Sequence, residues 1–124
     1  MPINAIGELI TRKYTPDSEL DNDGNPVDGA TTFDIRPLSG VDYNRVIAHQ
    51  KYDPVEQTVS TTGDGVMLAL SHGLVGWDGL IDPVTGLSLK YNHVNLNRLP
   101  PVIIRELAGK IIEISELGTE AAKN

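Results

Sequence analysis

The sequence predicts an α+β domain: an N-terminal two-stranded antiparallel hairpin with a long acidic loop, followed by a mainly helical body of three main helices. Three observations carry this expectation. Two short stretches rich in β-branched and alternating residues, Glu8 to Thr15 and Thr31 to Arg36, come before any helical segment. Between them lies TPDSELDNDGNPVDG, dense in Asp, Asn, Gly and Pro, the chemistry of turns and loops. Three segments of helical character follow, and strands followed by helices point to α+β. With 124 residues, 40% hydrophobic and 22% charged, the chain suits a single domain, 1–124, with one modest core.

The first two stretches are expected to pair as antiparallel strands, joined by a mobile acidic loop over residues 16–30 that is longer than most hairpin connections. Pro37 ends the second strand. Ser39, with Asp42 three residues later, resembles a capping box and starts a helix from about Gly40 to Lys51, with Tyr43, Val46 and Ile47 on one face. Asp53-Pro54 closes it, and Val55 to Gly63 reads as a polar, Thr-rich linker. Asp64 is a candidate cap for a second helix, VMLALSHGLVGW. Its apolar residues (Val66, Met67, Leu68, Ala69, Leu70, Leu74, Val75) surround nearly the whole circumference, which predicts a buried central helix. Trp77-Asp78-Gly79 ends it, and turns at Asp82-Pro83 and Thr85-Gly86 shape an irregular loop. Asn95 begins a short helical turn through Leu99. Pro100 and Pro101 suit the first positions of a third helix, where a missing N–H costs little. That helix is expected to stop at Gly118, leaving 118–124 as a frayed tail.

Composition excludes several functions. The net charge is -7, and the ten Lys and Arg are scattered, so phosphate backbones offer no attraction and no nucleic-acid partner is expected. The absence of cysteine removes disulfides, thiol nucleophiles and thiolate metal sites, and fits a reducing cytoplasm. MPINAIGELITRKY lacks a basic region followed by an apolar core, so no secretory signal is expected. No apolar run approaches the roughly 20 residues of a membrane helix.

Candidate chemistry fails residue by residue. Glu19, Asp21, Asp23 and Gly24 match the opening of a calcium-binding loop, but Pro26 and Ala30 stand where that loop needs a continuing pattern and a bidentate Glu. His49, His72 and His93 are far apart, and zinc needs three or four convergent ligands. Ser71 and His72 are neighbours on a helix and point about 100° apart. Gly63-Asp64-Gly65 is a turn, not a phosphate loop, and Asp17, Asp21, Asp23 and Asp28 sit in loop spacing that holds no carboxylate pair in register. No enzyme, metal or cofactor is expected.

The third helix is the most informative element. Ile103, Leu107, Ile114 and Leu117 cluster on one face, and Ile104, Ala108, Ile111 and Ile112 continue round the arc, with Glu106, Glu113 and Glu116 opposite. Packing on a single neighbour needs a stripe about 100° wide, and this arc is roughly double that. Either the helix is wedged between two elements of its own domain, or part of the arc meets another subunit or an apolar partner. The candidate contacts are Leu99, Ile103, Ile104, Leu107 and Ile111. Trp77 is a further candidate, with an alternative role as anchor for its loop.

The order of TTFDIRPLSG (Thr31 to Gly40), SHGLVGWDGL (Ser71 to Leu80) and NLNRLPPVIIRELAGKIIEIS (Asn95 to Ser115) resembles the tail assembly chaperones of long-tailed bacteriophages and prophages. The resemblance covers roughly residues 5 to 117. It implies a small protein of the bacterial host cytoplasm that binds the long tape measure protein and keeps it soluble while the tail assembles, often as a homo-oligomer. The alternative is a structural tail or head–tail connector component retained in the virion.

Overall fold

The computed structural model describes residues 2–123, with 118–123 by backbone alone, and the chain is α+β as the sequence predicts. Strands β1 (Arg12–Tyr14) and β2 (Thr32–Ile35) pair antiparallel, with Tyr14 opposite Phe33 and Arg12 opposite Ile35. Alternation along β2 turns Phe33 and Ile35 into the core and leaves Asp34 on the outer face, where its carboxylate holds the Lys13 ammonium at 2.9 Å. Ser39 caps α1 (Gly40–Ile47) by accepting from the Asp42 N–H at 3.1 Å, as its sequence position suggests.

Three elements differ from expectation. Helix α1 ends at Ile47 rather than Lys51, because Gln50 and Lys51 belong to β3 (Gln50–Asp53), which pairs with β4 (Thr58–Thr61). The supposed linker is therefore the second half of a hairpin. Its turn is closed by the Asp53 carboxylate, which accepts from the N–H groups of Val55 and Glu56, and Gln57 takes the left-handed conformation. Helix α2 (Gly63–Gly73) is capped by Thr62 rather than Asp64 and stops at Gly73. Leu74 and Val75 leave the helix for a fifth strand, β5 (Leu74–Asp78), which pairs antiparallel with β2 and completes a sheet ordered β1-β2-β5. With those two residues gone, α2 buries a stripe of Gly65, Ala69, Leu70 and Gly73 and exposes Met67 and Ser71. The third helix, α3 (Pro101–Lys123), begins at the double proline but continues past Gly118. A single glycine costs about 1 kcal/mol in a helix, and the following Glu120, Ala121, Ala122 and Lys123 all favour one. Residue 124 of the expected tail lies outside the described residues.

The core gathers Phe33, Ile35, Leu38, Val46, Ala69, Leu70, Leu74, Leu96, Leu99, Leu107, Ala108, Ile111 and Ile114. Helix α2 packs against both α1 and α3. The α2–α3 contact is closest at Gly73, where an added Cβ would lie 2.4 Å from the Ile111 side chain. Only glycine fits there. Hydrogen bonds tie α3 to the N-terminal half: the Ser115 hydroxyl accepts from the Leu38 N–H at 2.8 Å, Glu106 accepts from the Tyr14 hydroxyl and the Asp17 N–H, and Glu116 accepts from the Tyr43 hydroxyl at 3.1 Å. No helix among the described residues is long and apolar enough to cross a membrane.

Candidate interaction site

Trp77 sits on β5 directly opposite Phe33, so the pleat turns both rings to the same face of the sheet. The two rings meet edge to face at 6.4 Å, and Tyr91 stands perpendicular to Trp77 at 4.9 Å. The indole N–H donates to the Leu89 carbonyl at 2.8 Å, and the Tyr91 hydroxyl donates to the Leu74 carbonyl at 2.9 Å. Both aromatic residues thus bind the segment 79–94 to β5. Gly79 opens that segment at φ 79°, a left-handed turn that a side chain disfavours. Asp82 closes it, accepting from the Val84 N–H and from Arg98, whose guanidinium is the larger cause holding the Asp82 carboxyl below its usual pKa. Of the two roles considered for Trp77, the geometry matches the loop anchor.

Along α3 the predicted contacts divide. Leu107 and Ile111 are 0% exposed and Leu99 is buried, so these three pack within the domain and present no surface to a partner. The physical reason is that α3 packs against both α2 and α1 and is bonded to the Leu38 segment through Ser115, so its wide apolar arc has more than one internal neighbour. Ile103 and Ile104 are half-buried and border open grooves. One groove, about 350 Å³, lies between the starts of α2 and α3 and is lined by Thr61, Gly63, Val66, Met67, Pro101, Ile104 and Arg105. A second, about 330 Å³, runs past Pro16, Phe33, Leu80, Pro100 and Ile103. Met67 is 38% exposed, and its unbranched thioether adapts to varied apolar shapes. Sequence periodicity missed Val66 and Met67 as candidates because the whole of α2 reads as core.

The polar candidates resolve into structural roles. Asp21 accepts from the N–H groups of Asp23 and Asn25 at 2.9 Å each, and the Glu19 carboxylate accepts from the Thr31 N–H, so the acidic loop is closed by its own hydrogen bonds. The Ser71 hydroxyl donates to the Met67 carbonyl of its own helix, while His72 lies 3.6 Å from Asp42. Among the described residues, no three His, Asp or Glu side chains converge as metal ligands. Comparison of the chain with protein-family models, with curated proteins and with solved structures finds no match.

Proposed function

We propose that the chain is a binding protein akin to a phage tail assembly chaperone, which holds apolar helical segments of the tape measure protein soluble in the host cytoplasm and catalyses no reaction. The observation that carries this reading is the open groove between the starts of α2 and α3, with Val66, Met67 and Ile104 on its walls. Val66, Met67 and Ile104 give it an aliphatic and thioether wall, with Thr61 and Arg105 as polar neighbours, which suits an amphipathic helix laid along it. The net charge of -7 supports the same role, because an acidic shell keeps a complex with a greasy client dispersed. The contact residues are accordingly narrowed to Ile103, Ile104, Val66 and Met67.

The test is co-expression with helical segments of a phage tape measure protein, reading the fraction of client that stays soluble. The wild-type chain is expected to raise that fraction several-fold, while Met67→Glu and Ile104→Gln, checked for native circular dichroism, lose most of the gain. A client equally insoluble with and without the chain overturns the reading. Mass spectrometry of purified particles separates the alternative: stoichiometric presence in finished virions would assign it to a structural component.

A further inference from the structure

The β3–β4 hairpin is separate from the three-stranded sheet, and among the described residues no strand pairs with either of its outer edges. Two strands alone are marginal in water; a third strand or a packed face is what makes such a unit stable. Here Tyr52 and Val59 are cross-strand partners, yet they remain 64% and 62% exposed, and Val55 at the turn is 86% exposed.

The two edges are chemically unequal. Strand β3 carries Lys51 and Asp53 and runs into Pro54, the charged and proline features that protect an edge against pairing. Strand β4 reads Thr-Val-Ser-Thr, uncharged and β-branched except at Ser60, with none of them. Its hydrogen-bonding pattern follows from one contact: the Thr62 N–H donates to the His49 carbonyl, which makes that pair a bonded one. Bonded and non-bonded pairs alternate in an antiparallel ladder, so Ser60 and Thr58 turn their backbone groups to β3. Val59 and Thr61 turn theirs outward.

We propose that β4 is a self-association edge whose occupant is the β4 strand of a second copy of this chain, running antiparallel about a two-fold axis at Ser60. With Val59 of each copy opposite Thr61 of the other, all four outward groups on each edge find partners, and the two hairpins become one four-stranded sheet. Antiparallel pairing of a strand with itself is isologous, so it closes as a dimer. Charge favours the match as well. Residues 50–61 hold only Lys51, Asp53 and Glu56 as charged side chains, so two hairpins meet with little repulsion although each chain carries -7. The Tyr52–Val59 rows of the two copies then lie on the same face of the sheet, diagonal to each other across the axis. The edge is short, which places the interface below about 1,200 Å², and the dimer population rises with protein concentration. Thr61 also lines the α2–α3 groove, but the pairing of the two edges needs no client.

Sedimentation velocity on the full chain, from micromolar to millimolar protein, is expected to give a concentration-dependent dimer. Val59→Lys places like charges on either side of the axis and should weaken dimerisation by about tenfold with unchanged circular dichroism. A control at another exposed position, Val84→Lys, should leave it unchanged. The chain has no cysteine, so Ser60→Cys supplies a sole thiol. A non-bonded antiparallel pair sets Cα atoms about 4.5 Å apart, within disulfide reach. Ser60→Cys should therefore cross-link on mild oxidation much faster than a Val84→Cys control. A chain that stays monomeric throughout, a Val59→Lys variant that dimerises like wild type, or a Ser60→Cys variant no faster than the control overturns the proposal.

Discussion

Gly73 is where the packing of α2 on α3 tolerates least change, and the consequence can be worked through. In Gly73→Ala the new methyl would lie 2.4 Å from Cγ2 of Ile111, and 2.9 and 3.0 Å from its Cδ1 and Cγ1. Carbon atoms rest at about 3.5–4.0 Å, so the helices must part by roughly 1 Å or Ile111 must leave its rotamer. Ile111 is 0% exposed and has nowhere to turn. Overpacking of this kind costs about 1–3 kcal/mol. Alanine's advantage over glycine in a helix, at most about 1 kcal/mol, is small at the last helical residue. The expected net loss is about 1–2 kcal/mol. Ile111→Ala alone should cost about 2–5 kcal/mol by opening a cavity. In that background the Gly73→Ala methyl enters vacated space, so the second substitution should cost nothing or restore a little. The coupling between the two sites is then about 2 kcal/mol. Urea titrations followed by the fluorescence of Trp77 and by circular dichroism measure all four corners of the cycle. Additivity to within about 0.5 kcal/mol, or a neutral Gly73→Ala, would refute the reasoning.

Three further substitutions test the tethers of α3. Ser115→Ala removes the buried hydroxyl that accepts from the Leu38 N–H, and leaving that donor unpaired should lower stability by about 1–3 kcal/mol in the same titration. Tyr14 and Tyr43 have pKa values raised first by burial and then by their hydrogen bonds to Glu106 and Glu116. In the unfolded chain tyrosine ionises near pH 10, so the unfolded state sheds its proton first. The stabilisation is complete below about pH 10 and is lost as pH rises through the folded values. Lys13, raised by its hydrogen bond to Asp34, adds a fall of the same sign. Stability should thus drop above about pH 10, and Tyr14→Phe with Tyr43→Phe should flatten the drop; an undiminished slope in that double variant counts against the assignment.

The parts of the fold legible in the sequence are those whose burial leaves a pattern. Phe33 and Ile35 alternate because one face of β2 is inside, and Ser39 marks α1 because an N-cap is a local interaction. The β3–β4 hairpin was hidden because it buries almost nothing, so Gln50–Asp53 and Thr58–Thr61 show no core-facing alternation. Strand β5 was hidden for the opposite reason. Leu74 to Trp77 resume the apolar run of α2 after only Ser71 and His72, and the signal that divides them is Gly73, whose meaning depends on Ile111 across the helix interface. The interaction residues were only half legible. Helical periodicity identifies a wide apolar arc on α3, but which part of it meets α2 is a tertiary fact.

That tertiary fact follows from the composition. With one Trp and one Phe, the core must be filled by aliphatic side chains, and short strands of three to five residues cover little of it. A long helix must then face two neighbours at once, and Leu107, Ala108, Ile111 and Ile114 are absorbed in doing so. Burial of each large member of that set is worth about 1.5–3 kcal/mol, more than a weak external contact returns, so the domain claims them first. What it leaves is Leu117 near the C-terminal end, 61% exposed, and the first turn of α3, where Ile103 and Ile104 border grooves that the sheet and α2 do not fill. On the proposed reading a client meets the N-terminal end of this helix, where Ile104 joins Val66 and Met67. Substitutions there should change binding with little loss of stability, whereas those at Leu107 or Ile111 should unfold the domain before they say anything about binding.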